Sequence, residues 1–312
     1  MLKLSSSKKT GKLILSFQRQ QLRCGSSSAK YEIPTKRFPV HDGYLLDTRP
    51  KGEREVIDPA WKPKVGGYTK PLRIEIIDRQ DYAFIGQYFT WHFAKYCNIF
   101  ETQNLTYDEA APFFFSLLNS VIDKPLSFAA FEGDKLVGIR LNTYHTADEF
   151  PDMYPRGLCE KDPKFVIQKD YGQDITNGVY PSRKLNRCNL CIEECGTQTG
   201  KFLPKDCKKL GVIEAAGVDS SYMGSGMAQY FSYRSMELFK KHGCDYWLSY
   251  SAAAAAAGFN LKVGGKVLFE FPYDDFKDCG KSVLTNMCDG AKSLKTIMGR
   301  VDKTWPLIQE YS

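Results

Sequence analysis

The amino-acid sequence predicts an α/β fold of the α+β type, in which helices flank one mixed, mostly antiparallel sheet of about six to seven strands. Three patterns lead to this prediction. From about residue 72 onward, short runs rich in β-branched and aromatic residues alternate with longer runs of helical periodicity. Two β-rich runs, 126–131 and 136–143, flank the Gly-containing turn 132–135, which predicts an antiparallel hairpin. Small residues at 224–226 separate a strand pattern from a helix pattern.

Residues 1–31 carry the whole net charge of the chain. They contain seven lysines and arginines and no acidic residue, and the formal net charge is +7. The segment is also rich in serine, so it has the composition of a mitochondrial transit peptide, and a disordered basic tail is the alternative. The apolar run Leu13–Leu15 is too short for the core of a secretory signal. A cytoplasmic or mitochondrial location is therefore expected, and secretion is not.

The rest of the chain has balanced charge, which argues against a nucleic-acid groove. Residues 32–71 combine many prolines and charges with little periodicity and are predicted to form an extended arm. The folded domain is expected at 72–312, with an insertion at about residues 147–209. The most apolar stretch, Ala110–Ile122, contains Pro112 and is well short of about 20 residues, so it predicts a core helix and not a membrane span.

The elements of the domain follow from the periodicity of each segment. Strands are expected at Arg73–Ile77, Leu126–Phe131, Leu136–Thr143, Leu210–Val218, Asp245–Tyr250, Lys266–Phe271 and Ser293–Gly299. Helices are expected at Tyr82–Tyr96, Tyr107–Ile122, Arg183–Cys195, Met227–Lys241 and Ala252–Val263. Residues 147–182 are rich in Pro, Asp, Gly and Tyr, and this composition predicts a lid or excursion.

Ten cysteines at irregular spacing indicate free thiols in a reducing compartment. Cys188 and Cys191 have the C-x2-C spacing of zinc sites, but no second pair with ligand spacing follows. With Cys195 they occupy positions i, i+3 and i+7, which lie on one face of a helix, with Leu185 and Ile192 nearby. An apolar stripe on this helix is therefore predicted, and no metal site.

The stretch YMGSGMAQYF at 222–231 lies between a predicted strand and a predicted helix. The first amides of a helix have no partner within the helix, and the helix dipole places positive potential there, so such a turn predicts an anion site. Gly224 and Gly226 allow the backbone to approach a phosphate closely. The turn lacks the Gly-Lys-Ser/Thr of a P-loop, and Gln229 stands where a dinucleotide-binding fingerprint has its third glycine.

The turn resembles the acetyl-CoA loop of the GCN5-related N-acetyltransferases (GNAT), whose pattern Arg/Gln-x-x-Gly-x-Gly/Ala opens a helix after a strand. Here Gly217–Asp219 ends the strand and Met223–Ala228 follows, with Met223 in place of Arg/Gln. A strand, an Ala-rich helix and Lys262–Leu268 then follow in the family's order, and the insertion is similar to that of the arylalkylamine branch. The resemblance covers about residues 72–299, and it implies the GNAT fold with acetyl-CoA as acetyl donor.

The resemblance also implies which residues bind the donor. Ala215, Ala216 and Gly217 are small enough for the pantetheine to pair with the fourth strand of the family like an added strand. The implied donor-binding residues are Ala216, Gly217, Val218, Met223, Gly224, Ser225, Gly226, Met227, Ala228 and Asn260.

The implied reaction needs a base for the amine and an acid for the departing thiolate. Glu214 on the fourth strand is the first candidate base, with Glu101 and His145 as alternatives. The glutamate typical of the arylalkylamine branch has no counterpart at Tyr96–Ile99. Asn260 stands where the family usually has a tyrosine acid, so Tyr222 and Tyr250 are the candidate acids.

The implied function is transfer of an acetyl group from acetyl-CoA to the amine of a small molecule, an arylalkylamine or a polyamine, by direct attack in a ternary complex. The alternative is a catalytically weak or inactive protein of this fold that binds CoA or a protein partner. An amine pocket is a further expectation, although its residues also have the helical spacing of a core. Its candidate lining residues are Tyr88, Trp91, Phe113 and Phe114.

Overall fold

The structure of the chain is a computed structural model that describes residues 32–50, 54–64, 68 and 70–312. The basic segment 1–31, expected to be a transit peptide or a tail, lies outside the described residues. Strands in the described part are β1 (Val40–His41), β2 (Tyr44–Leu45), β3 (Val56–Trp61), β4 (Leu72–Ile76), β5 (Phe128–Glu132), β6 (Lys135–Thr146), β7 (Lys209–Val218), β8 (Tyr246–Ser251), β9 (Lys266–Pro272), β10 (Lys277–Asp278), β11 (Lys281–Ser282) and β12 (Ser293–Arg300). Its α-helices are α1 (Tyr82–Tyr96), α2 (Asn98–Glu101), α3 (Tyr107–Val121), α4 (Phe150–Met153), α5 (Gly172–Thr176), α6 (Arg183–Gln198), α7 (Met227–Lys241), α8 (Ala254–Lys262) and α9 (Val301–Ile308).

Eight of these strands form one mixed sheet in the order β3-β4-β5-β6-β7-β8-β12-β9. Neighbouring strands are antiparallel except β7 and β8, which run parallel. The β5–β6 hairpin is present as expected, with Glu132 opposite Lys135 at its turn. The predicted mostly antiparallel sheet is confirmed, and it has one strand more than the upper end of the prediction.

The additional strand is β3, which lies in the segment predicted to be an extended arm. It pairs with β4 through Trp61 opposite Leu72, and the Trp61 ring stacks on Tyr230 of α7 with centroids 4.5 Å apart. Phe38 makes an edge contact with Phe84 of α1, with centroids 5.2 Å apart. The folded region thus begins upstream of Leu72. The sequence did not predict this, because a few aromatic contacts in a segment rich in proline and charge leave no periodic pattern.

The two faces of the sheet carry different helices, because side chains alternate along each strand. On β5, Ala129 and Phe131 pack in the core formed with α1 and α3, whereas Phe128 and Ala130 pack beneath α7. Helix α3 contains the most apolar stretch of the sequence, and it lies in the first of these cores as expected. No helix in the described residues is long and apolar enough to cross a membrane.

Helix α6 of the insertion packs into the same core as α1 and α3. It buries Cys188, Cys191 and Cys195 there as free thiols, which is the apolar stripe expected from their spacing. Among the described residues, no group of three or more His, Cys, Asp or Glu side chains is arranged to hold a metal ion.

The insertion also covers the parallel strands β7 and β8. Phe150, Tyr154 and Leu203 of the insertion pack against Val212 of β7 and Leu248 of β8 in a smaller core. The segment predicted to be a lid or excursion is therefore packed against this part of the sheet, and this packed layer of the insertion is called the roof below.

Two helical glycines predict opposite effects of the same substitution. A Cβ atom at Gly86 in α1 would lie 2.3 Å from the buried Phe115 ring of α3, so we expect Gly86→Ala to lower the free energy of unfolding by about 1–3 kcal/mol. A Cβ atom at Gly258 in α8 would meet nothing within 4 Å, so Gly258→Ala is expected to raise the free energy of unfolding by about 0.5–1 kcal/mol. Urea denaturation measures both shifts, and a Gly86→Ala variant that is no less stable than wild type would contradict the α1–α3 packing.

Candidate functional site

The parallel strands β7 and β8 pair only at their beginnings. Their registered pairs run from Leu210 with Tyr246 to Ile213 with Ser249. Beyond this point β7 continues along β6 as far as Val218, while β8 continues along β12. The two strands therefore separate, and a cleft opens between the main-chain edges beyond Ile213 and Ser249.

Glu214 lies where the separation begins, in a bulge of β7. The register of β7 on β6 shifts between Leu141 and Asn142, which leaves Glu214 without an opposite residue. Tyr250 of β8 is the residue after the last registered pair. Glu214 and Tyr250, both predicted as catalytic residues, are therefore neighbours across the start of the cleft.

The carboxyl group of Glu214 is strongly desolvated. Burial raises its pKa from 4.5 to about 7, and the positive charge of Lys124 opposes this rise. Burial also raises the pKa values of Tyr154 and Tyr250, and the nearby charge of Glu214 raises both further. At neutral pH, Glu214 is thus divided between its protonated and ionised forms, which suits a general base.

The two alternative bases have different surroundings. His145 makes an edge contact with the Tyr154 ring, with centroids 6.4 Å apart. Burial and the charge of Lys124 lower the pKa of His145 to about 4, so its imidazole is neutral at pH 7. Glu101 is exposed at the end of α2. Of the three candidates, Glu214 is the one at the start of the cleft.

The insertion supplies two side chains that the sequence analysis did not single out. Thr199 begins the 3-10 helix Thr199–Phe202, and its Oγ1 lies 3.1 Å from the Tyr250 hydroxyl oxygen. Tyr154 follows α4 and is buried among the groups that surround Glu214. No local motif marks either residue, because only the packing of the insertion on β7 and β8 brings them to the cleft.

The glycine turn before α7 is open on its outer side. Gly224 and Gly226 have φ angles of +79° and +86°, which favour glycine, and a Cβ atom at either position would meet nothing within 4 Å. Ser225 is buried, and its Oγ accepts the Met227 N–H at 3.3 Å. Met223 is 58% exposed. The two glycines are thus needed for the backbone conformation, and space remains beside them for a ligand.

Helix α7 presents unpaired amides at this turn. A helical i→i−4 bond runs from the Tyr230 N–H to the Gly226 carbonyl, so the earlier N–H groups of Ala228 and Gln229 have no acceptor inside the helix. Ala228 is exposed. The turn therefore leaves these N–H groups available to an anion, and the anion site itself stays a prediction.

The small residues at the end of β7 lie in two different environments, one exposed and one packed against α1. Ala216 is exposed, as a ligand that approaches the main chain requires, and Val218 is half-buried. Ala215 is buried in the core beneath α1, and a Cβ atom at Gly217 would lie 3.0 Å from His92 of α1. The packing of α1 thus also requires a small residue at Gly217, and pairing of the pantetheine with this strand stays a prediction.

Asn260 of α8 ties that helix to the end of β8. Its buried side-chain amide donates to the Ser251 hydroxyl at 3.0 Å, and the hydroxyl oxygens of Ser251 and Ser249 lie 3.2 Å apart. The resemblance implied that Asn260 binds the acetyl donor, but its side-chain amide is already hydrogen-bonded to β8.

Tyr222, the other candidate acid, has different partners from Tyr250. Its hydroxyl donates to the carboxylate of Glu132 at the end of β5, and its ring stacks on Tyr68 with centroids 5.2 Å apart. It belongs to the core beneath α7. The structure therefore brings Tyr250 to Glu214 and gives the Tyr222 hydroxyl a partner elsewhere.

The aromatic residues considered for an amine pocket lie mainly in the core. Tyr88, Phe113 and Phe114 are buried between α1 and α3, and Trp91 is half-buried. Their helical spacing therefore reflects the packing of α1 against α3.

The order of the strands and the cleft between β7 and β8 define a known class of fold: the chain has the fold of the GCN5-related N-acetyltransferases. It is similar to the crystal structure of arylalkylamine N-acetyltransferase 2 from Aedes aegypti, with 17% identity, a TM-score of 0.58, and coverage of 74% of this chain and 99% of that one. The fold that the resemblance implied is thereby confirmed.

Two further structures show the same fold. The polyamine N-acetyltransferase of Drosophila melanogaster, which forms N-acetylagmatine, has 12% identity and a TM-score of 0.55 over 73% of this chain and 99% of its own. The mosquito arylalkylamine N-acetyltransferase like 5b has 13% identity and a TM-score of 0.51 over 73% and 99%. No protein-family model and no curated protein matches the sequence.

The desolvated carboxyl of Glu214 predicts a cost to folding that depends on pH. Its pKa is 4.5 in a solvated chain and about 7 in the folded protein, so the folded state binds the proton more tightly. The stability from this proton is complete below the lower pKa and is lost as pH rises through the higher one. The Glu214→Gln variant carries no such titration.

We therefore expect the free energy of unfolding of Glu214→Gln to rise relative to that of wild type as pH increases, by up to roughly 3 kcal/mol between about pH 4 and pH 8. Urea denaturation of both proteins across this range measures the difference. A difference that does not change with pH would contradict the burial of the ionisable group.

Proposed function

We propose that the protein is an N-acetyltransferase that moves the acetyl group of acetyl-CoA to the amine of a small molecule. The observation that carries this proposal is the desolvated carboxyl of Glu214 at the start of the cleft between β7 and β8. The glycine turn follows the end of the same strand at Val218. One strand thus leads from a candidate base to a candidate phosphate site, as a bound thioester donor requires.

The residues present fit acetyl-CoA as the donor. The free amides of Ala228 and Gln229 would bind its pyrophosphate, because a helix N-terminus favours anions. The side of β7 that faces β8 would pair with the pantetheine near Ala216, because β8 supplies no registered partner to β7 beyond Ile213. Met223 supplies no charged donor in place of Arg or Gln, so the main chain would carry the phosphate contacts.

Acetyl transfer requires a neutral amine. We propose that Glu214 takes a proton from the ammonium group and that the free amine attacks the thioester carbonyl carbon. The new C–N bond gives a tetrahedral intermediate, which collapses as the C–S bond breaks. The thiolate then receives a second proton, the one that leaves the attacking nitrogen, and CoA departs as the thiol. Tyr250 is proposed as the polar partner of Glu214 at this point of the cleft.

The proposed acceptors are arylalkylamines and polyamines. Similar folds occur in an arylalkylamine N-acetyltransferase and in an enzyme that forms N-acetylagmatine. The insertion packs on β7 and β8 next to Glu214, and this roof favours a small amine.

Release of the CoA thiol tests the reaction. The purified protein, mixed with acetyl-CoA and a panel of arylalkylamines and polyamines, is expected to release thiol with at least one amine. CoA binding without thiol release would instead favour an inactive CoA-binding protein. A failure to bind CoA at millimolar concentration would overturn both functions.

A charge placed at the start of α7 tests the donor site. Ala228 is exposed, and a carboxylate in the first turn of a helix does not destabilise it. Ala228→Glu is expected to weaken CoA binding at least about tenfold by repelling the pyrophosphate, while Ala228→Gln stays within about threefold of wild type. Isothermal titration calorimetry measures both affinities. Equal affinities of the two variants would contradict a phosphate at this turn.

The pKa of Glu214 predicts how activity depends on pH. The base acts in its ionised form, so the ratio of wild-type to Glu214→Gln kcat/KM is expected to rise about tenfold per pH unit below 7 and to level off above it. The plateau is expected at about 100-fold. Using the ratio cancels the titration of the amine itself. A ratio that is constant with pH would show that Glu214 is not the base.

A further inference from the structure

The hydrogen bonds of Thr199 fix the direction of the Tyr250 hydroxyl. The Thr199 Oγ1 lies 2.9 Å from the main-chain carbonyl oxygen of Cys195. A carbonyl oxygen carries no hydrogen, so the single hydroxyl hydrogen of Thr199 is used in this bond.

The Thr199 Oγ1 also lies 3.1 Å from the Tyr250 hydroxyl oxygen, and either atom is close enough to donate. Because Thr199 has already used its hydrogen, Tyr250 is the donor of this bond and Thr199 the acceptor. The Tyr250 hydrogen therefore points at Thr199, and the oxygen lone pairs point away from it.

Thr199 is held firmly in this position. It is fully buried, and the next residue, Gly200, packs so closely that a Cβ atom there would lie 2.4 Å from the Cβ of Tyr154. The Gly200 carbonyl accepts the Cys159 N–H at 2.9 Å. The insertion thus fixes the end of α6 against its own earlier turn, and Thr199 against Tyr250.

We propose that Thr199 is a positioning residue for the acceptor amine. By accepting the Tyr250 hydrogen, it turns the lone pairs of the Tyr250 oxygen toward the cleft, where they accept an N–H of the amine beside Glu214. The amine lone pair is then free for the thioester carbon. This role rests on the proposed acetyl transfer, and it makes Tyr250 an acceptor toward the amine and not the acid for the thiolate.

A double-mutant cycle tests this role. Thr199→Val keeps the shape but lacks the hydroxyl, Thr199→Ser keeps the hydroxyl, and Tyr250→Phe removes the partner. Thr199→Val and Tyr250→Phe are each expected to lower kcat/KM for the amine about tenfold, with the KM of acetyl-CoA within about twofold of wild type. The double variant is expected to lose no more than either single variant, and Thr199→Ser is expected to stay within about threefold of wild type.

Losses that multiply in the double variant would overturn the proposal, because they would show that Thr199 acts without Tyr250. Thr199→Ser as slow as Thr199→Val would overturn it as well. The same cycle in the thermal unfolding midpoint tests the hydrogen bond without turnover: non-additive shifts support it, and additive shifts overturn it. A wild-type protein without activity would refute the proposed function, while the unfolding cycle would still decide whether Thr199 holds the Tyr250 hydroxyl.

Discussion

The structure depends on the short parallel pairing of β7 with β8. The two strands share four registered residue pairs and then separate, because each follows its other neighbour in the sheet. Separation leaves main-chain groups without a ladder partner inside the sheet, a costly arrangement unless water or a ligand binds them. The same separation places Glu214 and Tyr250 side by side at its start. The main-chain edge proposed to bind the acetyl donor and the proposed base Glu214 thus have one geometric cause.

The insertion explains why a carboxyl at this corner is desolvated. Its residues cover the face of β7 and β8, and its Tyr154 lies near Glu214 together with Tyr250 of β8. Lys124 opposes the effect of burial but does not cancel it, so the pKa remains raised. The roof over the parallel strands therefore has a chemical consequence: it changes a carboxylate that water would keep ionised into a group that exchanges its proton near neutrality.

Local patterns in the sequence predicted most of the sheet and the strand, turn and helix of the candidate site. The predicted helices Tyr82–Tyr96 and Met227–Lys241 have the bounds of α1 and α7. Two of the missed elements depend on distant partners: β3 is anchored by Trp61 on Tyr230, and α9 is tied to β8 by the Trp247 indole, which donates to Thr304 at 2.7 Å. Periodicity does not report such contacts. Thr199 and Tyr154 were missed for the same reason.

The departures from the family pattern fall on side chains, and the backbone features remain. Met223 is exposed, so a methionine in place of Arg or Gln leaves the turn intact, since the conformation of the turn is set by the positive φ angles of Gly224 and Gly226. Asn260 in the tyrosine position is hydrogen-bonded to β8. Donor binding through amides tolerates such changes, whereas proton transfer needs particular side chains. Because Asn260 stands where the resemblance implies a tyrosine, the polar side chains near Glu214 come from other elements, and the insertion brings Thr199 to Tyr250.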